Sequence, residues 1–122
     1  MNSKEFKQLI IESKYYTKYE PILEKNSLAI FAYEALSKFD INNNTINTEE
    51  IFRKLHHNNK LFFELEKRNK QLQIENYDFK HKLFVNFDAD IVVTDDQKKY
   101  WEKFLIEYKD KLVVEITENG SD

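Results

Sequence analysis

The 122-residue chain has no cysteine, one glycine, one proline and no apolar run long enough to span a bilayer. The missing thiols exclude disulfide staples, thiolate metal sites and a cysteine nucleophile. The opening Met1-Asn2-Ser3-Lys4-Glu5-Phe6-Lys7 lacks an apolar signal segment, so a soluble, cytoplasmic protein with no membrane partner is expected. A surplus of one charge sign is lacking as well: 19 basic and 22 acidic residues give a net charge of -3. With no basic stripe, a nucleic-acid polymer is not an expected partner.

What is present suits one folding unit. Hydrophobic residues make up 41% of the chain and aromatics 15%, enough for a core and too many for a disordered segment. Residues 3–13, with Phe6, Leu9 and Ile10, predict a short helix, so that residues 1–14 form a helical lead-in to a domain over 15–122. Tyr15 to Leu23 alternates as an extended segment, and Pro21 within it points to an edge, a bulge or a strand end. Glu24-Lys25-Asn26-Ser27 is a turn pattern, and Leu28 to Leu36 is a buried-strand pattern broken only by Glu34.

Residues 40–48 are polar and asparagine-rich, which predicts a loop. Asn47 with Glu50 forms a capping pattern ahead of a helix with Ile51, Phe52 and Leu55 on one face. A second helix is expected over 59–74. Lys82 to Phe87 and Leu112 to Thr117 read as two more buried strands. Between them Thr94-Asp95-Asp96-Gln97 caps a helix whose Trp101, Phe104, Leu105 and Tyr108 form a packing stripe. The order is α/β, with the strands expected to be buried on both faces.

Each of three apolar strands carries one oxygen-bearing side chain near its C-terminal end: Glu34, Asn86 and Glu115. A buried carboxylate costs several kcal/mol unless it is paired. Any one of them alone reads as a satisfied core group. Three at equivalent positions suggest the C-terminal rim of a (β/α) barrel, and an all-oxygen set there suits Mg²⁺ or Mn²⁺.

Tyr19-Glu20-Pro21-Ile22 followed by Tyr33-Glu34-Ala35-Leu36-Ser37-Lys38-Phe39 resembles the opening of EAL domains. Leu83-Phe84-Val85-Asn86-Phe87 resembles that family's strand with a metal-binding Asn. Val114-Glu115-Ile116-Thr117-Glu118 resembles its Glu-x-Thr-Glu motif. The resemblance implies a partial TIM-type (β/α) barrel, roughly the first half of an EAL domain. EAL domains hydrolyse cyclic-di-GMP to linear pGpG with Mg²⁺ or Mn²⁺. It further implies Glu34, Asn86 and Glu115 as metal ligands, Glu20, Leu36 and Lys38 beside substrate, and Glu118 as organiser of the loop after its strand.

Three positions depart from the family pattern. Glu20 stands where Gln is usual, Lys38 where Arg is usual, and Asp88 where a small hydroxyl residue is usual. Lys38 keeps a positive charge but lacks the guanidinium fork that grips phosphate. A (β/α)₈ barrel needs about 250 residues, and the remaining ligands and catalytic Lys of the family lie beyond this chain's last motif. The isolated chain is therefore expected to be inactive. A degenerate EAL protein that senses nucleotide or binds a protein partner is the alternative. A half-barrel completing itself as a homodimer is a third reading. His56 and His57 read as surface residues, and Glu64 to Lys70 as a solvated helix face.

Overall fold

A computed structural model of the protein describes Lys4, residues 14–41 and residues 44–117. The helix expected at 3–13, apart from Lys4, and the expected role of Glu118 lie outside the described residues.

Strands β1 (Lys14–Leu23) and β2 (Ile30–Ile41) form an antiparallel hairpin running from Lys14↔Asp40 to Leu23↔Ile30, with an irregularity after Ile22. The chain's only glycine is Gly120, so Leu28 itself takes the left-handed position that closes the turn, at φ 60°. That conformation costs a non-glycine residue about 1–2 kcal/mol. It is held by Leu28 N–H donating to the Glu24 carbonyl at 2.9 Å and Glu24 N–H to the Ala29 carbonyl at 2.8 Å.

The asparagine-rich stretch is not simply a loop. β2 continues to Ile41, and β3 (Asn44–Ile46) pairs back on it antiparallel. Polar composition hides this, because a short edge pairing needs only backbone groups. Helix α1 (Thr48–Leu55) starts at Asn47, whose side chain accepts from the N–H groups of Glu49 and Glu50. Helix α2 (Asn59–Glu75) starts at Asn58. Then come β4 (Lys82–Asp88), a 3₁₀ turn at Ala89–Ile91, helix α3 (Asp95–Glu107) and β5 (Leu112–Thr117). Thr94 and Gln97 form the reciprocal capping box expected at the start of α3.

The sheet order is β1-β2-β4-β5, with β3 beside β2 off this path. β2, β4 and β5 run parallel, and β1 runs against them at one edge. This fits Pro21, which lacks an N–H for a central ladder. On the helix-covered face Ala35, Phe39, Leu83, Val85 and Phe87 are buried with Ile51, Leu55, Phe62, Leu65, Ile91 and Trp101. Trp101 packs edge-on against Phe87 at 4.8 Å and donates its indole N–H to the Ile91 carbonyl at 3.0 Å. The aromatic stripe is thus helix-on-sheet packing.

The other face is largely open among the described residues. Glu20 and Glu115 are exposed there, and Glu34, Phe84, Asn86 and Val113 are half-buried. Burial on both faces therefore does not hold for β5, and β1 is the edge that Pro21 suggested. Their alternating apolar residues satisfy one covered face only, as in a half-solvated sheet.

Candidate functional site

The strand ladders bring the three oxygen-bearing residues to one face. Glu34 sits on β2, and the side-chain amide of Asn86 on β4 donates to its Oε2 at 3.2 Å. Asn86 is directly beside Glu115 of β5 in the parallel register. Asn86 and Glu115 lie in the C-terminal halves of β4 and β5, the end where α/β sheets place their ligands. Glu34, expected near a strand end, is the fifth of twelve residues because β2 runs on to Ile41, and it lies near the end of the segment that pairs with β4. Glu115 is exposed and Glu34 half-buried. Among the described residues no group of three or more His, Cys, Asp or Glu side chains is close enough to hold a metal ion on its own. The amide oxygen of Asn86 is needed to complete a set of three oxygen donors.

β2 and β4 pair only from Ala32↔Lys82 to Ala35↔Val85. Past that level β2 pairs with β3, and a cavity of about 260 Å³ opens between the middle of β2, the ends of β4 and β5, and the two helices α1 and α2. Leu36, Lys38 and Asn86 line it, together with Asp88, Lys70 and Gln73. Ser37 is clamped at its rim. Its carbonyl accepts from the Thr48 hydroxyl at 2.8 Å, and its hydroxyl accepts from the Gln73 amide at 2.8 Å. Both contacts fix the backbone between Leu36 and Lys38. Burial pushes the Tyr19 phenol above its ordinary range, opposed by a hydrogen bond with Thr17. The neutral phenol donates to the Gln73 carbonyl at 2.7 Å and anchors the same corner.

Glu20 pairs directly opposite Glu34 across the β1–β2 ladder. Like charges so placed repel, and Lys18 lies 3.4 Å from Glu20 in compensation. Two bland readings need correction. Glu66, Asn69 and Lys70, expected on a solvated face, are buried to 2% exposure on α2. His56 is half-buried, with Nδ1 paired to Asp90 Oδ2, while Asn59 donates to the Asp90 carbonyl. His57 is exposed.

Among the cavity residues that sequence reasoning missed as lining groups are Lys70 and Gln73, with Glu66 beside them. Lys70 and Gln73 occupy helical positions three residues apart, and Glu66 precedes Lys70 by four, so the stripe was present in the spacing. Its polarity made it resemble solvent-facing surface.

No protein-family profile and no curated protein matches the sequence. Solved structures do match by fold. An EAL domain protein from Listeria monocytogenes EGD-e superposes with a TM-score of 0.70 at 17% identity, over 99% of this chain and 51% of that one. The Bacillus subtilis YkuI protein, which has an EAL domain and was solved with substrate c-di-GMP and calcium, gives 0.73 at 18% identity, over 100% of this chain and 32% of that one. Vibrio cholerae LapD, an S helix-GGDEF-EAL protein bound to c-di-GMP, gives 0.66 at 14%, over 95% and 30%. The chain has an EAL-like fold and spans at most about half the length of these neighbours.

Proposed function

We propose that the chain is the N-terminal half of an EAL-type cyclic-di-GMP phosphodiesterase domain, contributing part of its divalent-metal and nucleotide site. The observation that carries this reading is the Asn86–Glu34 hydrogen bond, with Glu115 next in register, on one face of three parallel strands. The donor set is all oxygen: two carboxylates, and an amide whose nitrogen already faces Glu34. This fits Mg²⁺ or Mn²⁺ and also the calcium found in the YkuI complex. When bound, such an ion supplies Lewis-acid polarisation of a phosphodiester oxygen and lowers the pKa of water.

The chain's own residues do the rest of the positioning. Lys38 offers a point charge to a phosphate from a stretch of β2 that Thr48 and Gln73 hold through Ser37. Leu36 offers an apolar surface beside it. With only these ligands the isolated chain binds cations weakly and does not turn over cyclic-di-GMP.

Titration calorimetry with Mn²⁺ and cyclic-di-GMP, beside a chromatographic hydrolysis assay, tests this. The expected result is Mn²⁺ binding that weakens about tenfold, roughly 1.4 kcal/mol, in Glu34→Gln, without formation of pGpG. Turnover lost on Glu34→Gln would overturn the claim of inactivity. Mn²⁺ binding indifferent to both Glu34→Gln and Asn86→Ala would overturn the ligand assignment. The Glu20–Glu34 pairing favours a second reading, a degenerate non-catalytic EAL protein, because it sets an extra carboxylate beside the place of a dianionic ligand.

A further inference from the structure

Helices α2 and α3 leave a cavity of about 240 Å³ between them, lined by Gln71 and Glu75 on α2 and by Tyr100, Phe104, Glu107 and Tyr108 on the α3 side. The three rings recur at four-residue steps, so they stand one above another on a single side of α3. The ring centres of Phe104 and Tyr108 are 5.3 Å apart. Glu75 and Glu107 are both exposed and face the cavity from opposite helices. Neither has a Lys, Arg or His partner within ion-pair distance among the described residues. The Gln71 amide donates to Glu75 Oε1 at 2.9 Å and holds that carboxylate at the rim. Burial, then the charge of Glu107, a hydrogen bond with it and the charge of Glu75, push the Tyr108 phenol above its ordinary range. The ring stays neutral, and the field around it is negative.

One end of the same wall shows what such rings and acids accept. Lys67 Nζ lies 4.9 Å from the centre of the Tyr100 ring, with Glu64 at 3.7 Å. Further along, Phe104 and Tyr108 with Glu75 and Glu107 repeat that combination, and no Lys or Arg of the described residues lies over either ring. We infer that this place takes the guanidinium of an arginine side chain from a partner protein. Aromatic faces attract cations, and the planar, weakly hydrated guanidinium stacks on them while its fork reaches a carboxylate. Carboxylates on two helices bracket it from both sides. A second cavity of about 320 Å³, lined by Arg68, Gln71, Leu72 and Glu75, adjoins through Gln71 and Glu75 and leaves room for the backbone of the arriving segment. Arg68 there repels a further cation, so the segment carries one arginine and not a basic run. The inference is independent of the nucleotide reading, because both helices cover the sheet face opposite to Glu34 and Glu115.

Nuclear magnetic resonance titration of the 122-residue chain tests it, with acetyl-Gly-Arg-Gly-amide as the probe. Amide shifts are expected at residues 71–75 and 100–108. The peptide with citrulline, the neutral isostere of arginine, should not produce them, and the lysine peptide should bind more weakly. Glu75→Gln with Glu107→Gln, at two exposed positions, is expected to weaken binding about tenfold. Tyr108→Leu should weaken it about fivefold, the size of one cation–π contact. Urea unfolding of each variant establishes that it remains folded. Shifts scattered over carboxylates elsewhere, or none, overturn the proposal. So does equal binding of the citrulline or lysine peptide, or binding unchanged in the folded double glutamine variant.

Discussion

Lys70 Nζ lies 2.9 Å from Glu66 Oε2, one turn away on α2, with the two side chains only 3% and 2% exposed. Asn69 donates to the other Glu66 oxygen at 2.9 Å, and the Lys70 ammonium lies 5.2 Å from the centre of the Phe87 ring. An ion pair this deeply buried is weak evidence for net stability, but breaking it on one side leaves an uncompensated charge. Lys70→Met is expected to cost about 3–5 kcal/mol. Glu66→Met combined with Lys70→Met should recover most of that loss. Urea unfolding of the single and double variants measures both. A double variant as unstable as the single one would show that the charges do more than neutralise each other.

Gln97 ties three elements together from a buried position. Its Oε1 accepts from the N–H groups of Val93 at 3.0 Å and Thr94 at 3.3 Å. Its amide donates to Asn59 Oδ1, at the start of α2, at 2.6 Å. Thr94 supplies only the reciprocal contact, accepting from Gln97 N–H at 3.1 Å. Gln97→Ala is expected to lower stability by about 2 kcal/mol, and Thr94→Ala by about 1 kcal/mol. Chemical denaturation should preserve that order; equal losses would reduce the role of Gln97 to simple capping.

Glu20→Gln removes one member of the carboxylate pair across the β1–β2 ladder. Glu20 is half exposed and shares Lys18, so the effect on stability stays within about 0.5 kcal/mol. The effect on a dianionic ligand is larger, because a unit charge some 4 Å away is worth about 1 kcal/mol even in water. Cyclic-di-GMP binding in the presence of Mn²⁺ is expected to tighten about fivefold, as read by calorimetry. A weaker complex in Glu20→Gln would show that the carboxylate serves the site.

Much of the fold was legible because period and punctuation agree. Pro21 marks an edge strand, Asn47 and Thr94 mark helix starts, and the apolar runs at 82–87 and 112–117 become β4 and β5. The alignment of Glu34, Asn86 and Glu115 was legible for the same reason, since each interrupts an apolar run, although β2 continues past the run that holds Glu34. Three features were not. β3 is too short and polar to show a period. The buried face of α2 is written in Glu66, Asn69, Lys70 and Gln73, which pair with one another or with Ser37 rather than with water. His56 gains its partner Asp90 from a turn 34 residues away, a contact that no local pattern encodes.

The turn between β1 and β2 should be sensitive to acid. The Glu24 carboxylate accepts from Ser27 N–H at 2.6 Å and Asn26 N–H at 3.0 Å. Ser27, through its N–H and then its hydroxyl, and next the Asn26 N–H, hold the carboxyl below its ordinary range. A folded-state pKa below the unfolded value means stability gained above the unfolded value, about 4.3 for Glu, and lost as the pH falls through the folded one. Glu24→Gln keeps the shape of the side chain without that charge. The variant is expected to be less stable than the parent at pH 7, with the gap closing as the pH falls below 4. Thermal unfolding of both chains from pH 7 to pH 3 measures it. The turn depends on these bonds because Leu28 sits in the left-handed region. Leu28→Gly should therefore offset part of the Glu24→Gln loss at neutral pH, and a gap that stayed constant across the range would exclude the carboxylate as its source.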